Sequence, residues 1–165
     1  YTGWYTLSLH DALPILNFNK SITLGCILNA VYNNKRSLDN YTASIIQAPA
    51  FTPTPYTLST FNEAFRSNKY AAIGIMPIWT IRPFLHLRSE FYTFMPLDAI
   101  KRGPNQETVL SRSFSNTQFL GELSLVFHQP FVSMSLFTNY LSYPKNNWNV
   151  GINIGFLIFN KRLVE

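Results

Sequence analysis

Three charged residues, Arg88, Glu90 and Glu122, lie inside segments in which apolar and polar residues alternate. Each falls on the polar side of its segment, and a charge on the apolar side would be costly in lipid. If the two segments form neighbouring strands, Arg88 and the two glutamates face one another and attract. The spacing therefore predicts an ion-pair cluster on one face of a sheet, the face that would line the lumen of a barrel. A catalytic pair of carboxylates is the alternative chemistry, but no third catalytic group accompanies Glu90 and Glu122 in a recognisable motif.

Few residues are candidates for metal binding or nucleophilic catalysis. His86 and His128 have no partners at the spacing of a metal site. Cys26 is the only cysteine, which excludes an intrachain disulfide and a thiolate site of several cysteines. The sequence has no Gly-x-Ser-x-Gly turn, no phosphate-binding loop and no Cys-x-x-Cys pair. We therefore predict no catalytic residue, no metal ligand and no cofactor-binding residue in this chain.

The composition narrows the class of protein. Only 13% of the residues are charged, whereas 16% are aromatic. No apolar run approaches the length of about 18 residues that a transmembrane helix needs. The formal net charge is +5, but the basic residues are scattered between apolar segments, which argues against a nucleic-acid partner. Apolar residues spread evenly among Asn, Ser and Thr are typical of strands with one face toward lipid and one toward water.

The alternation is clearest from Trp148 to Ile158, where apolar residues occupy every second position. A period of two indicates a strand with one apolar and one polar face. The pattern recurs in five earlier segments. We predict an all-β fold, an antiparallel up-and-down meander that forms the six C-terminal strands of an incomplete transmembrane β-barrel, near residues 17–32, 70–81, 84–95, 115–127, 131–143 and 147–159.

The connections between the predicted strands differ in length. Residues 33–68 and 97–113 are long and polar, whereas 82–83 and 128–130 are tight turns. Outer-membrane barrels have short turns at one end and long loops at the other. Only the short hairpin near 144–147 departs from this arrangement.

Aromatic residues form girdles at the two lipid interfaces of such barrels. We assign that role to Trp79, which precedes a tight turn, and to Tyr143 and Trp148, which flank the last hairpin. A soluble β-sandwich remains the alternative fold, although its strands are usually shorter, with turn signals about every 8–12 residues.

The first fifteen residues do not continue this pattern. Thr6 to Ile15 reads TLSLHDALPI, and when it is converted back into codons it resembles, without a gap, a common short-read sequencing adapter. His10 and Asp11 suggest an acid–base pair, but no nucleophile is tied to them. We therefore expect residues 1–15 to be a non-native, disordered leader and residues 16–165 to be a fragment of a barrel domain.

Four blocks carry a family resemblance: LDNYTASIIQAPAFTPTP from Leu38, FNEAFRSNKYAA from Phe61, FLGELSLVF from Phe119 and YPKNNWNVGINIGFLIFN from Tyr143. They resemble the C-terminal part of patatin-like phospholipases of the Bacteroidetes type. In that family a patatin hydrolase domain precedes a small periplasmic module and a barrel of the bacterial surface antigen superfamily.

The resemblance implies a membrane anchor in the bacterial outer membrane, in contact with lipid and completed by missing N-terminal strands and the hydrolase domain of the same protein. The serine and aspartate motifs of the hydrolase are absent here, so no catalytic residue can be transferred to this chain. Two alternatives stay open. One is a surface antigen barrel that transports or assembles proteins or lipids, and the other is a soluble β-sandwich binding module.

Overall fold

The computed structural model describes residues 6–9, 15–19, 21–35, 37–112, 114, 116–143 and 147–156. Strands dominate this part of the chain, and three short helices lie between two of them. The helices are α1 (Tyr41–Gln47), α2 (Pro55–Ser59) and a 3-10 helix (Glu63–Phe65). The strands are β1 (Thr6–Leu9), β2 (Ile15–Asn19), β3 (Ile22–Asn33), β4 (Lys69–Arg82), β5 (Leu85–Pro96), β6 (Asp98–Arg102), β7 (Thr108–Arg112), β8 (Gln118–His128), β9 (Val132–Leu141) and β10 (Asn147–Phe156).

The main sheet follows the chain closely. Its strand order is β1-β3-β4-β5-β8-β9-β10, with β2 also paired to β3, while β6 and β7 form a separate hairpin. The fold is therefore all-β, and the main sheet is an antiparallel up-and-down meander, as the sequence predicts. Within the described residues the order is open, because β10 has β9 as its one neighbour. No helix in the described part of the chain is long and apolar enough to cross a membrane.

The prediction of one strand over residues 17–32 is wrong. The segment is a hairpin in which β2 pairs with β3, with Leu16 opposite Leu24 and Asn17 opposite Thr23. The alternation does not reveal the change of chain direction between β2 and β3, because Leu16 and Phe18 are in phase with Ile22 and Leu24. A period of two alone cannot distinguish a long strand from two short strands that keep the same phase.

The leader also differs from expectation, since five of its residues lie in strands, four in β1 and Ile15 at the start of β2. Thr6–Leu9 pairs antiparallel with β3, from Thr6 opposite Asn33 to Leu9 opposite Ala30. The sequence Thr-Leu-Ser-Leu alternates polar and apolar residues, and an exposed strand edge offers backbone groups to any such segment. His10 and Asp11 lie outside the described residues.

The five later strands lie where the alternation predicts them, within about three residues at each end. The predicted C-terminal extension to residue 159 lies outside the described residues. The long connections are more structured than predicted, because 33–68 contains the helices and 97–113 contains the β6–β7 hairpin. Both connections are rich in polar and turn-forming residues. The few apolar residues that anchor them form no pattern from which their helices and strands could be predicted.

The chain divides into two compact units. The first comprises Tyr1–Pro14, Cys26–Ile75 and Tyr92–Phe119, and the second comprises Ile15–Gly25, Met76–Phe91 and Leu120–Glu165. Each unit has its own interior.

An aromatic cluster forms the interior of the first unit. Phe51, from the proline-rich segment between α1 and α2, is buried at 3% exposure. Its ring centroid lies 5.9 Å from that of Phe94 and 6.0 Å from that of Tyr92. Tyr70 and Phe65 also contact Phe94, at 4.9 Å and 5.7 Å. This segment, predicted only as part of a long polar connection, thus packs an aromatic side chain against β4 and β5.

Local hydrogen bonds hold this segment in place. Thr54 begins α2 with a reciprocal capping box to Thr57, an arrangement that satisfies two otherwise unpaired backbone N–H groups. The Arg66 guanidinium donates to the carbonyls of Ile46 and Ala48 at 3.2 and 3.1 Å. Burial lowers the pKa of Arg66 from its ordinary value.

Gly74 in β4 leaves room for the Tyr92 ring and the Ile27 side chain of the neighbouring strands. A Cβ atom at this position would lie 2.2 Å from Cδ1 of Tyr92 and 2.8 Å from Cγ2 of Ile27. We expect Gly74→Ala to lower the free energy of unfolding by about 1–3 kcal/mol, because overpacking forces neighbours out of their rotamers. Urea unfolding of the refolded chain in detergent, followed by circular dichroism, measures the change.

Gly25→Ala is the matched control for Gly74→Ala. A Cβ atom at Gly25 would lie 3.4 Å from Cβ of Met76, which is ordinary contact. Equal changes in the two variants would show that the loss of Gly74 acts through backbone flexibility and not through the Tyr92 ring.

Candidate functional site

The second unit contains the ion-pair cluster that the charged residues predict, at the point where β5 and β8 are neighbours in the sheet. Arg88 Nε lies 2.6 Å from Glu90 Oε1, and Arg88 Nη2 lies 3.8 Å from Glu122 Oε1. The side chains of Glu90 and Glu122 are 3% and 2% exposed, whereas Arg88 is 30% exposed. The structure thus brings together all three residues, with two buried carboxylates beside one guanidinium.

Further polar side chains continue this cluster across the sheet. Arg88 Nε also donates to Ser124 Oγ at 3.3 Å. Glu122 lies opposite Asn139 of β9, and Asn139 lies opposite Asn149 of β10. We call Arg88, Glu90, Glu122, Asn139 and Asn149 the polar row.

Asn139 is the most deeply buried member of the polar row, at 0% exposure. Neither polar atom of its amide has a hydrogen-bond partner within the described residues. Amides buried to this degree are normally satisfied by water or by a further polar group. The sequence does not connect Asn139 with Glu122, because their pairing depends on the strand register.

The other face of the same strands has the opposite character. Side chains alternate between the two faces of a strand, so the neighbours of the polar row in sequence point away from it. In register, Leu125 of β8 faces Leu136 of β9, and Leu136 faces Ile152 of β10. Leu136 and Ile152 are 52% and 68% exposed. The exposed apolar side chains of β8, β9 and β10 are Phe119, Leu123, Leu125, Met134, Leu136, Trp148, Val150, Ile152, Ile154 and Phe156.

The three aromatic residues assigned to lipid interfaces are all exposed in the second unit. Trp79 lies near the end of β4 and is 38% exposed. Tyr143 follows β9 and Trp148 is the second residue of β10, with exposures of 51% and 67%. The Trp148 ring lies 5.1 Å from that of Tyr140, centroid to centroid. Tyr140 therefore belongs with this aromatic group, although the sequence did not single it out.

The remaining candidates for chemistry have local structural contacts. His86 Nδ1 lies 3.2 Å from Thr80 Oγ1 on the neighbouring strand. Across the described ranges, no group of three or more His, Cys, Asp or Glu side chains is placed to hold a metal ion. Arg88 lies against both buried carboxylates, so the geometry favours an electrostatic role for them over acid–base catalysis.

Comparison with protein-family models, curated proteins and solved structures gave no match, and the family resemblance stays a prediction.

Proposed function

We propose that this chain is a lipid-embedded part of an outer-membrane β-barrel and that its role is to anchor its protein in the bacterial outer membrane. The observation that carries the proposal is the reversed polarity of β8, β9 and β10. The charged and amide side chains Gln118, Glu122 and Asn139 of β8 and β9 are buried on one face, while large apolar side chains of β8, β9 and β10 are exposed on the other. Exposing such a face to water is unfavourable, whereas lipid-facing strands of barrels have this alternation.

The dimensions of the strands support the same proposal. Trp148 and Phe156, near the two ends of β10, are separated by about 26 Å along an extended strand at the usual rise per residue. The apolar band of an outer-membrane barrel is about 25 Å tall. A strand of this length and modest tilt spans most of the hydrocarbon layer.

Within the described residues β10 has one neighbouring strand, so its other edge is open and supports a further strand as partner. Backbone groups at an open sheet edge cannot be satisfied inside a hydrocarbon layer. Val150 of β10 is 75% exposed, more than Leu136 of the inner strand β9 at 52%. We propose that lipid contacts the apolar face and that additional strands of the same protein pair with β10.

The resemblance extends the proposal to a patatin-like acyl hydrolase as the anchored domain. The four quoted blocks support this extension, and no catalytic residue of the chain is part of it. A transport or assembly barrel is the second candidate, and the sequence upstream distinguishes the two. A domain with a serine elbow favours the anchored hydrolase, and repeated periplasmic modules favour transport or assembly.

A soluble sandwich packs its apolar faces against each other. Such packing does not fit a unit in which Leu136 is exposed while Glu90 and Glu122 are buried. The buried carboxylates therefore favour the barrel over the sandwich.

Leu136→Arg tests the lipid environment directly. Leu136 lies at the centre of β9, and an arginine on the lipid face near the bilayer midplane costs about 2–4 kcal/mol. We expect this loss when the chain is refolded into phosphatidylcholine vesicles and unfolded with urea. Leu58→Arg, on α2 and 75% exposed, is the control and is expected to change stability by no more than about 0.5 kcal/mol. Equal, small effects in both variants, with a monodisperse chain in buffer without detergent, would overturn the proposal.

A further inference from the structure

A cleft of about 610 Å³ opens in the first unit, where β3 ends and β4 begins. Its walls come from four separate segments: the end of β3, residues 37–39, the start of β4 and the β6–β7 hairpin. Backbone hydrogen bonds join these walls, from Asn33 N to Asn68 O at 2.9 Å and from Thr108 N to Asp39 O at 2.9 Å. The cleft is therefore a built feature of this unit, and its shape is set before any ligand arrives.

The lining of the cleft is unusually polar. Ligand pockets are generally lined by apolar side chains with a few polar groups, but this one contains amides, hydroxyls and charges of both signs. Lys69 Nζ lies 3.1 Å from Asp98 Oδ2 and 5.1 Å from the centroid of the Tyr32 ring. Asp39 and Glu107 add two more carboxylates.

These groups restrict the class of ligand. An acyl chain would leave the polar groups of the wall without partners, which is costly. The lining contains two lysines, Lys35 and Lys69, against the three carboxylates of Asp39, Asp98 and Glu107, and Lys69 is paired with Asp98. A phosphate or other anion binds where cations are in excess, so this lining does not favour it. A neutral ligand rich in hydroxyl groups can donate to the carboxylates and exchange hydrogen bonds with the amides.

The Tyr32 ring supplies the apolar component that such a ligand also needs. Tyr32 lines the cleft and is 54% exposed, while Asn68 beside it is 8% exposed, with its Nδ2 directed at Ser37 Oγ at 3.4 Å. A ring with one apolar surface and a polar tip suits a ligand that has both C–H and O–H surfaces. We propose that this cleft binds a neutral carbohydrate, a small oligosaccharide with an exposed C–H face.

The experiment uses the full chain refolded in a detergent that has no sugar headgroup. Maltotriose, mannotriose and triacetylchitotriose are titrated separately and binding is followed by saturation-transfer difference NMR, with inorganic phosphate as a further ligand. We expect at least one trisaccharide to bind. Tyr32→Ala and Asp39→Asn are each expected to lower its affinity at least about tenfold, a loss that corresponds to one good polar or stacking contact. Tyr143→Ala is the matched control, since Tyr143 is 51% exposed and lies in the second unit, and its affinity is expected to be unchanged.

Several results would overturn the inference. They are an absence of binding by all three sugars, binding of phosphate in their place, or an equal loss in Tyr143→Ala and Tyr32→Ala. Circular dichroism establishes that each variant is folded. If Tyr32→Ala does not fold, the exposed substitution Asp39→Asn decides the outcome, and unchanged sugar affinity in that variant would reject the site. The proposed membrane anchor does not depend on any of these results.

Discussion

Arg88→Met is expected to lower the free energy of unfolding by about 3–5 kcal/mol, because it leaves buried carboxylates without their guanidinium. Glu90 and Glu122 are both almost fully buried, and Arg88 lies 2.6 and 3.8 Å from their nearest oxygens. Methionine keeps an unbranched apolar stem and removes the guanidinium with its charge and its hydrogen bonds. Urea unfolding of the chain refolded in detergent, followed by far-UV circular dichroism, measures the difference.

Lys69→Met is the matched control for the loss of Arg88. Lys69 pairs with Asp98 at 3.1 Å, but both side chains are 32% exposed, and pairs open to solvent contribute about 0–1 kcal/mol. The triple variant with Arg88→Met, Glu90→Gln and Glu122→Gln removes the buried charges together and is expected to regain much of the stability. If Arg88→Met costs no more than Lys69→Met, the cluster does not carry the electrostatic role described above.

Phe51→Ala is expected to cost about 3–5 kcal/mol, as is usual when a fully buried aromatic side chain is truncated. The Phe51 ring packs against Tyr70, Tyr92 and Phe94, so its loss leaves a cavity bounded by residues of two strands. Near-UV circular dichroism reports the loss of fixed aromatic packing, and urea unfolding reports its free energy.

Phe61→Ala is the control for Phe51→Ala, because Phe61 belongs to the same connection but is 55% exposed. It contacts the guanidinium of Arg66 at 4.4 Å from the ring centroid, a contact worth about 0.5–1 kcal/mol at exposed sites. Similar losses of unfolding free energy in both variants would mean that Phe51 stabilises the connection no more than an exposed aromatic residue does.

The meander could be predicted from the sequence because strong alternation reports strands wherever one face is apolar. β10 illustrates this success, since its large apolar residues occupy every second position from Trp148 to Phe156. The β2–β3 hairpin was missed because Leu16 and Ile22 are in phase across the turn. The helical connection was missed because only a few apolar residues, such as Phe51 and Phe65, anchor a segment of otherwise polar composition.

The candidate site, like the fold, could be predicted from the sequence only in part. Arg88, Glu90 and Glu122 could be found from the sequence, because a charge inside an alternating segment is rare and each lies on the polar side. Asn139 joins them only through the β8–β9 register, which depends on turn geometry and packing. The cleft beside Tyr32 could not be predicted from the sequence, since the start of β4 and the β6–β7 hairpin, which complete its walls, lie far from the end of β3 along the chain.

The short helices have a consequence for the order in which the molecule folds. α1 has seven residues and α2 has five, far fewer than the roughly 12–15 residues that an isolated helix needs to be even marginally stable in water. Neither helix can therefore persist before there is a surface to hold it. For α1 that surface is the β6–β7 hairpin, where Ile100 packs with Tyr41 and Ile45. The α1 helix therefore forms only together with a hairpin that lies far from it along the chain.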